Sequence, residues 1–314
     1  KEKELARSIK SLDVIEDIVS KKVQEQYEEH PYPRWRYTNK CFPQKFFVSL
    51  NSEIKPNNII HNKKFNNPNV LIAGCGTGSH SISAIRYKNA NILAVDLSKS
   101  SLGYAKRKTD ELGLKNIEYI HADILQLNKL NTKFDIIESG GVLHHMKDPI
   151  RGLKVLVDIL EPHGFLKLGL YSETARRHVV EARKFIKKKN YKNTSKDIKI
   201  CRQDIINKKA NPLMQKLFIS TDFYSTSNVR DLLFHVQEYR FTIPKISKIL
   251  KDLNLEFLGF FFIDPLVKKE FSKSFPNDKN NTSLDNWHQF ELNNPNIFKG
   301  MYQFWVRKSY DIFT

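Results

Sequence analysis

Four apolar residues, Val70-Leu71-Ile72-Ala73, run straight into Gly74-Cys75-Gly76-Thr77-Gly78 and from there into a helical period. This order, a buried strand, a glycine-rich turn and a helix start, constrains the chain more than any other feature. Glycine takes positive φ without strain and lets the backbone approach a ligand with no Cβ in the way. The N–H groups of the following helix favour a polar or anionic group at the turn. The dinucleotide fingerprint GxGxxG does not fit. Counted from Gly74 its last glycine falls on Ser79, and counted from Gly76 on Ser81. The spacing is GxGxG, which speaks against a nicotinamide-dependent dehydrogenase.

The alternation continues. Strands are expected at Val70–Ala73, Asn91–Val95, Ile117–Ile120, Phe134–Glu138 and Gly164–Leu170, with helices at Ser79–Arg86, Ser100–Leu112 and Pro149–Leu160 between them. Asp148-Pro149 is a helix start, an acid at the N-cap and proline at the first helical position. Such alternation implies a parallel sheet with right-handed crossovers. Residues 172–240 interrupt it. Pro244–Leu253 resumes as a helix, and Glu256–Ile263 and Tyr302–Lys308 add two strands. The Asn- and Pro-rich stretch 264–300 reads as a long surface loop. Ahead of the sheet, Leu5, Ile9, Leu12, Ile15, Val19 and Val23 recur at three- and four-residue steps, which predicts one amphipathic helix over 2–23. It runs into Gln26-Tyr27-Glu28-Glu29-His30-Pro31-Tyr32-Pro33-Arg34-Trp35, where two prolines stop any helix. The organisation expected is an N-terminal helical arm or lid over 1–65, a core over 66–171, a cap insert over 172–240, and completion of the sheet over 241–314.

The formal charge is +18. Residues 176–216 hold fourteen Lys or Arg against three acids, so that segment alone carries +11. A nucleic-acid binder spreads its charge along a face, whereas here it is a local insert. Cys41, Cys75 and Cys201 lie far apart, with no CxxC or Cys/His cluster, so no zinc site, iron–sulfur cluster or disulfide framework is expected. A reducing, cytoplasmic setting suits them. No apolar run reaches the length of a membrane helix.

The GxGxG turn resembles motif I of the class I S-adenosylmethionine (SAM)-dependent methyltransferases. Asp96 ends the second strand in Leu93-Ala94-Val95-Asp96-Leu97-Ser98, where the family uses an acid to accept both ribose hydroxyls. Asp123 ends the third strand in His121-Ala122-Asp123-Ile124-Leu125, where the family's acid accepts from the adenine amino group and the next apolar residue stacks on the ring. Phe134-Asp135-Ile136-Ile137-Glu138 followed by Gly141-Val142-Leu143-His144-His145 and Asp148-Pro149 is similar to the quinone-biosynthesis branch. The resemblance covers about 70–171. It implies a Rossmann-like α/β fold with a seven-stranded, mostly parallel sheet, helices on both faces, an antiparallel last strand, a helical arm and a helical insert after strand five. It implies SAM as cofactor, S-adenosylhomocysteine as product, and Gly74, Cys75, Gly76, Gly78, Asp96, Leu97, Asp123, Ile124 and Glu138 as cofactor-binding residues. The arm segment 26–35 and Asp222-Phe223-Tyr224-Ser225-Thr226 are similar to a bacterial group of methyltransferase domains, some of which follow tetratricopeptide-repeat arrays. That context would explain a sequence opening on Lys1.

The acceptor is narrowed by elimination. The loop after strand four is Glu138-Ser139-Gly140-Gly141, not the Asn/Asp-Pro-Pro-aromatic loop common in amino methylation of nucleobases. No Cys follows strand four or five to attack a pyrimidine, and no metal-ligand cluster supports catechol-type chemistry. His144 and His145 are placed to act as a base, or else to order their loop. Tyr171 ends strand five and either donates to substrate or walls the pocket. His235 and Glu238, one helical turn apart, form either a substrate-side pair or part of a packed helix. Tyr32, Arg34 and Trp35 are placed to close over SAM or substrate, Arg34 suiting a carboxylate or phosphate. The leading expectation is methyl transfer to an oxygen or nitrogen of a small molecule or protein side chain. The alternatives are an RNA methyltransferase using 176–216, and a non-catalytic SAM-binding assembly factor.

Overall fold

The molecule, described from a computed structural model at residues 1–38, 41–60, 65–207 and 211–309, is organised by one seven-stranded sheet among the described residues. In chain order come α1 (Glu2–Ser8), α2 (Ile18–Glu29), α3 (Phe46–Ile54), β1 (Asn69–Ala73), α4 (Ser79–Ser83), β2 (Asn91–Asp96), α5 (Lys99–Glu111), β3 (Ile117–His121), β4 (Phe134–Gly140), α6 (Pro149–Asp158) and β5 (Leu160–Tyr171). Then follow α7 (Arg177–Lys189), α8 (Ser195–Asn207), α9 (Thr226–Phe234), α10 (Ile243–Asp252), β6 (Leu255–Phe260), α11 (Pro265–Ser274), α12 (Leu284–Asn293) and β7 (Met301–Lys308).

The strand order is β3-β2-β1-β4-β5-β7-β6. β1 to β5 pair in parallel, and β7 runs antiparallel between β5 and β6. The Rossmann-like sheet expected from the sequence is therefore present, with its antiparallel last strand. The order reverses between β1 and β4, so the crevice at their C-terminal ends is where such a sheet receives ligands. Both faces are packed. Leu71, Ile137, Leu166 and Leu168 bury one side under α6, α10 and α12, and Val70, Ile72, Ala94 and Ile136 the other.

Two sequence expectations fail here. The period over 2–23 does not make one helix. Asp13 takes the backbone N–H of Val14 at 2.7 Å, a local bond that competes with helix continuation. Residues 10–12 instead bridge the end of β3: His121 N donates to Lys10 O and Leu12 N to His121 O, both at 2.9 Å. An exposed sheet edge supplies unmatched hydrogen-bonding groups, and pairing with them outweighs the helical period. A new helix starts only when Asp17 caps Ser20 N at 2.8 Å. The 264–300 stretch is not a loop either, since it contains α11 and α12. Asp264 caps Leu266 N at 2.9 Å ahead of Pro265, the same start signal as Asp148-Pro149. Phe271, Trp287 and Phe290 from these helices are buried against the sheet.

The insert after β5 has a core of its own, built from Val179, Ala182, Ile198, Cys201, Leu217, Phe223, Val229 and Leu233. The segment that carries α3 is joined to the sheet by aromatic packing. Phe46 is 2% exposed and meets Tyr87, Phe165 and Trp305 with ring centroids at 5.4, 5.1 and 5.9 Å. Deleting a buried Phe costs about 3–5 kcal/mol. Phe46→Ala is expected to lower unfolding free energy by that amount in urea titration, and a loss under about 1 kcal/mol would contradict this packing.

Candidate active site

The site begins at the turn after β1. Gly74 and Cys75 donate their N–H groups to Val95 O, both at 2.9 Å, locking the turn to β2. Gly74 and Gly78 have φ of +81° and +88°. A Cβ on Gly74 would sit 2.3 Å from Val142, and one on Gly78 2.6 Å from Ala105. No other residue fits either position.

Asp96, at the end of β2, accepts from Gly76 N at 2.7 Å and from Ser98 N at 3.0 Å. The carboxylate lines the cavity. Burial pushes this acid up to about 6, against the pull of the two N–H donors. Asp123 is 3% exposed and caps the turn that follows it through Leu125 N at 3.0 Å. Gly74, Cys75, Gly76, Asp96, Leu97, Asp123 and Ile124 all line one cavity of about 1140 Å³. The set fits a nucleoside: an acid pair spaced for ribose and base, an apolar floor, and a turn whose backbone is bare of Cβ atoms.

The arm closes over this turn. Thr77 Oγ1 donates to Pro33 O, Trp35 Nε1 donates to Thr77 O at 3.2 Å, and Tyr104 OH donates to Trp35 O. One step earlier, three consecutive residues tie three parts together. Tyr27 OH donates to Asp231 at 2.7 Å on α9. Glu28 takes the N–H groups of Lys99 and Ser100 at the start of α5, where the helix dipole favours an anion. Glu29 accepts from Arg230 at 2.9 Å.

The sequence-derived candidates do not all reach the cavity. Tyr32, His145 and Tyr171 line it; Gly78, Glu138, His144, Arg34, Trp35 and His235 are not among its lining residues. Gly78 shapes the turn. Glu138 is buried and bonded to Arg86 Nη2 and Tyr87 OH, both at 2.7 Å, and to His80 at 2.8 Å. Burial opposes its charge, but Arg86 and His80 outweigh that and hold it well below the usual carboxylate range. It therefore props His80, which does line the cavity. His144 is fully buried, accepts Tyr171 N at Nδ1 (3.2 Å), and stacks on the Tyr171 ring at 3.5 Å. Arg176 lies over the same ring at 3.6 Å, so the two must take opposite faces. Burial, with His145 and Arg176 nearby, holds His144 well below the usual histidine range. His145 stacks on His235 at 3.6 Å and pairs its Nδ1 with Gln237 O at 2.8 Å; burial pushes it down to about 4. Both imidazoles are neutral at pH 7. Arg34 is exposed.

Sequence reasoning missed the cap's share of the cavity: Tyr27, Arg176, Asp222 and Asp231 line it. Of the Lys and Arg of 176–216 in the described residues, Arg176 and Lys216 do so; Lys208 and Lys209 fall outside those residues.

Residues 70–164 match the family model described as a methyltransferase domain. They form a class I SAM-dependent methyltransferase domain. The ubiquinone biosynthesis O-methyltransferase of Schizosaccharomyces pombe is 33% identical over 112 residues, 35% of this chain and 40% of that protein. An uncharacterised protein of a Synechococcus strain is 30% identical over 203 residues, 62% of this chain and 48% of its own length. Among solved structures, PKMT2 from Rickettsia typhi shares the fold, with a TM-score of 0.61 at 19% identity over 87% of this chain and 54% of that one. The same protein has been solved in complex with AdoHcy, S-adenosylhomocysteine. The chain spans about half the length of these relatives or less. The comparisons bear on the methyltransferase class and not on a tetratricopeptide-repeat context. No helix of the described residues is long and apolar enough to cross a membrane.

For the methyltransferase domain, Asp96→Ala is expected to weaken SAM binding by about 10- to 100-fold, the loss of a charge-assisted hydrogen bond. Because Asp96 must be ionised to accept from ribose, wild-type affinity should hold above pH 7 and fall as pH drops through about 6. Calorimetry checks both, and unchanged affinity in the variant would refute the assignment.

Proposed function

We propose that the chain is a SAM-dependent methyltransferase that moves a methyl group to an oxygen or nitrogen of an acceptor, a small molecule or a protein side chain. The acceptor is held between the sheet and a cap made of the arm (1–40) and the insert (172–240). One observation carries this reading. A single cavity runs from Asp96 and Asp123 on the sheet to Asp222 and Asp231 on the cap, and its volume of about 1140 Å³ lies above the usual range for one ligand. It has room for two molecules side by side. When bound, SAM supplies a methyl group made electrophilic by its sulfonium sulfur.

The chain's own residues then have three tasks. Gly74, Gly76, Asp96, Asp123 and Ile124 fix the cofactor's nucleoside. Tyr32 and Pro33 roof the cavity and exclude water, which raises the value of every polar contact inside. Tyr171 and His145 face the acceptor, and the His144–Tyr171–Arg176 stack holds the tyrosine ring in one orientation. Alignment of acceptor and methyl supplies much of the rate for a reaction of this kind. His144 is a positioning residue in this scheme, acting through Tyr171.

The test is calorimetry of the whole chain with SAM and with NAD, followed by incubation with methyl-labelled SAM and a cell extract of the source organism. SAM binding without NAD binding, and transfer of label to protein or small molecules, are the expected results. NAD binding without SAM binding would overturn the proposal. Label entering RNA, with binding that weakens steeply in salt, would move the acceptor to nucleic acid.

A further inference from the structure

The acceptor end of the cavity contains an unbalanced carboxylate. Asp231, on α9, is 8% exposed yet lines the cavity. One of its oxygens accepts from Tyr27 OH at 2.7 Å, and the other has no hydrogen-bond partner among the described residues. A buried charge is costly unless paired. The nearby guanidinium, Arg176, is committed elsewhere: it lies over Tyr171 and donates to both oxygens of Glu238 at 2.9 and 3.3 Å. Asp222, a second cavity-lining acid, is held by Asn228 at 3.0 Å. Tyr27, Tyr32 and Tyr171 complete the wall. Tyr27, Asp96 and Asp231 line the same cavity, and both acids help to raise the Tyr27 phenol. Arg176, Lys216 and Lys299 also line this cavity, so its charge is mixed overall; at Asp231 itself, an open carboxylate oxygen among three phenol rings offers a local site for a cation.

We propose that the acceptor atom is an amine nitrogen, and that Asp231, held by Tyr27, receives it as the ammonium ion and takes its proton before transfer. This rests on the methyltransferase reading given above. The step balances. The ammonium gives one proton to the Asp231 carboxylate and becomes a neutral amine. The nitrogen lone pair then forms the N–C bond while the S–C bond breaks and its electrons stay on sulfur. The products are a methylated ammonium and neutral S-adenosylhomocysteine, and the Asp231 proton returns to solvent.

Burial pushes Asp231 up to about 6, countered by the Tyr27 hydrogen bond and Arg176. The charged and titratable groups around it are Tyr27 from α2, Tyr32 from the arm, Tyr171 from β5, Arg176 before α7, Asp222 before α9, and His235 and Glu238 after it, with His145, His178, Lys216 and Lys299 lining the same cavity. A preference for a cation is thus present above pH 6 and lost as pH falls through it.

The probe is sinefungin, the SAM analogue in which a carbon bearing a primary ammonium replaces the methylated sulfur, compared with S-adenosylhomocysteine, which lacks the cation. At pH 8 the full chain is expected to bind sinefungin about tenfold more tightly, and the two affinities should converge at pH 5. Asp231→Asn should erase the preference while S-adenosylhomocysteine still binds, which also shows that the variant is folded. If that variant does not fold, Tyr27→Phe should reduce the preference severalfold, and the wild-type pH profile stands alone as a test. Equal affinities in the wild type at pH 8, or a preference that survives Asp231→Asn, would overturn the inference and leave the methyltransferase reading intact. Failure to bind either compound would overturn both.

Discussion

The site depends on the left-handed turn between β1 and α4. Gly74 and Gly78 hold conformations that side chains do not tolerate, and the space a Cβ would need is taken by Val142 and Ala105. That close packing brings the loop after β4 and the helix after β2 against one turn. The bare backbone then faces Asp96, whose carboxylate is oriented by Gly76 and Ser98. Shift the turn and the acid, the loop carrying His145, and the start of α5 all lose their shared reference.

The arm and cap are built on that reference. Tyr27, Glu28 and Glu29 spend three adjacent side chains on three different partners: a cap acid, a helix N-terminus in the core, and a cap arginine. Because successive residues on a helix point in different directions, one turn of α2 can bridge core and cap at once. The cavity is closed by a segment that the core and the cap hold together. The basic insert has the same logic at its inner edge. Arg176 is drawn inside and paired with Glu238, while Lys187, Lys188 and Lys189 stay in solvent at the end of α7.

Much of this was legible in the sequence, for physical reasons that differ by region. The parallel strands are buried on both faces, so they appear as unbroken apolar runs such as Val70–Ala73, and the glycine spacing marked the left-handed turn without any fold knowledge. The arm was misread because its apolar period is real but its middle pairs with the β3 edge, a long-range contact that no local pattern encodes. The helices at 265–274 and 284–293 were hidden by Asn and Pro content, although Asp264-Pro265 repeats the start signal read correctly at Asp148-Pro149. The cap's acids were not found because Asp222 and Asp231 look like ordinary polar positions; only the fold brings them opposite Asp96. The pairing of Glu138 with Arg86, fifty-two residues away in the chain, is a long-range contact that no local pattern encodes.

The central claim is that one cavity seats the cofactor and its acceptor side by side, with Asp96 and Asp231 at opposite ends of the transfer path. A crystal structure of the chain with S-adenosylhomocysteine tests it most directly. The account predicts the ribose hydroxyls on Asp96, the adenine beside Asp123 and Ile124, and the sulfur facing Tyr171 and Asp231 across open space. A nucleoside bound away from Asp96, or a sulfur walled off from the cap, would contradict it.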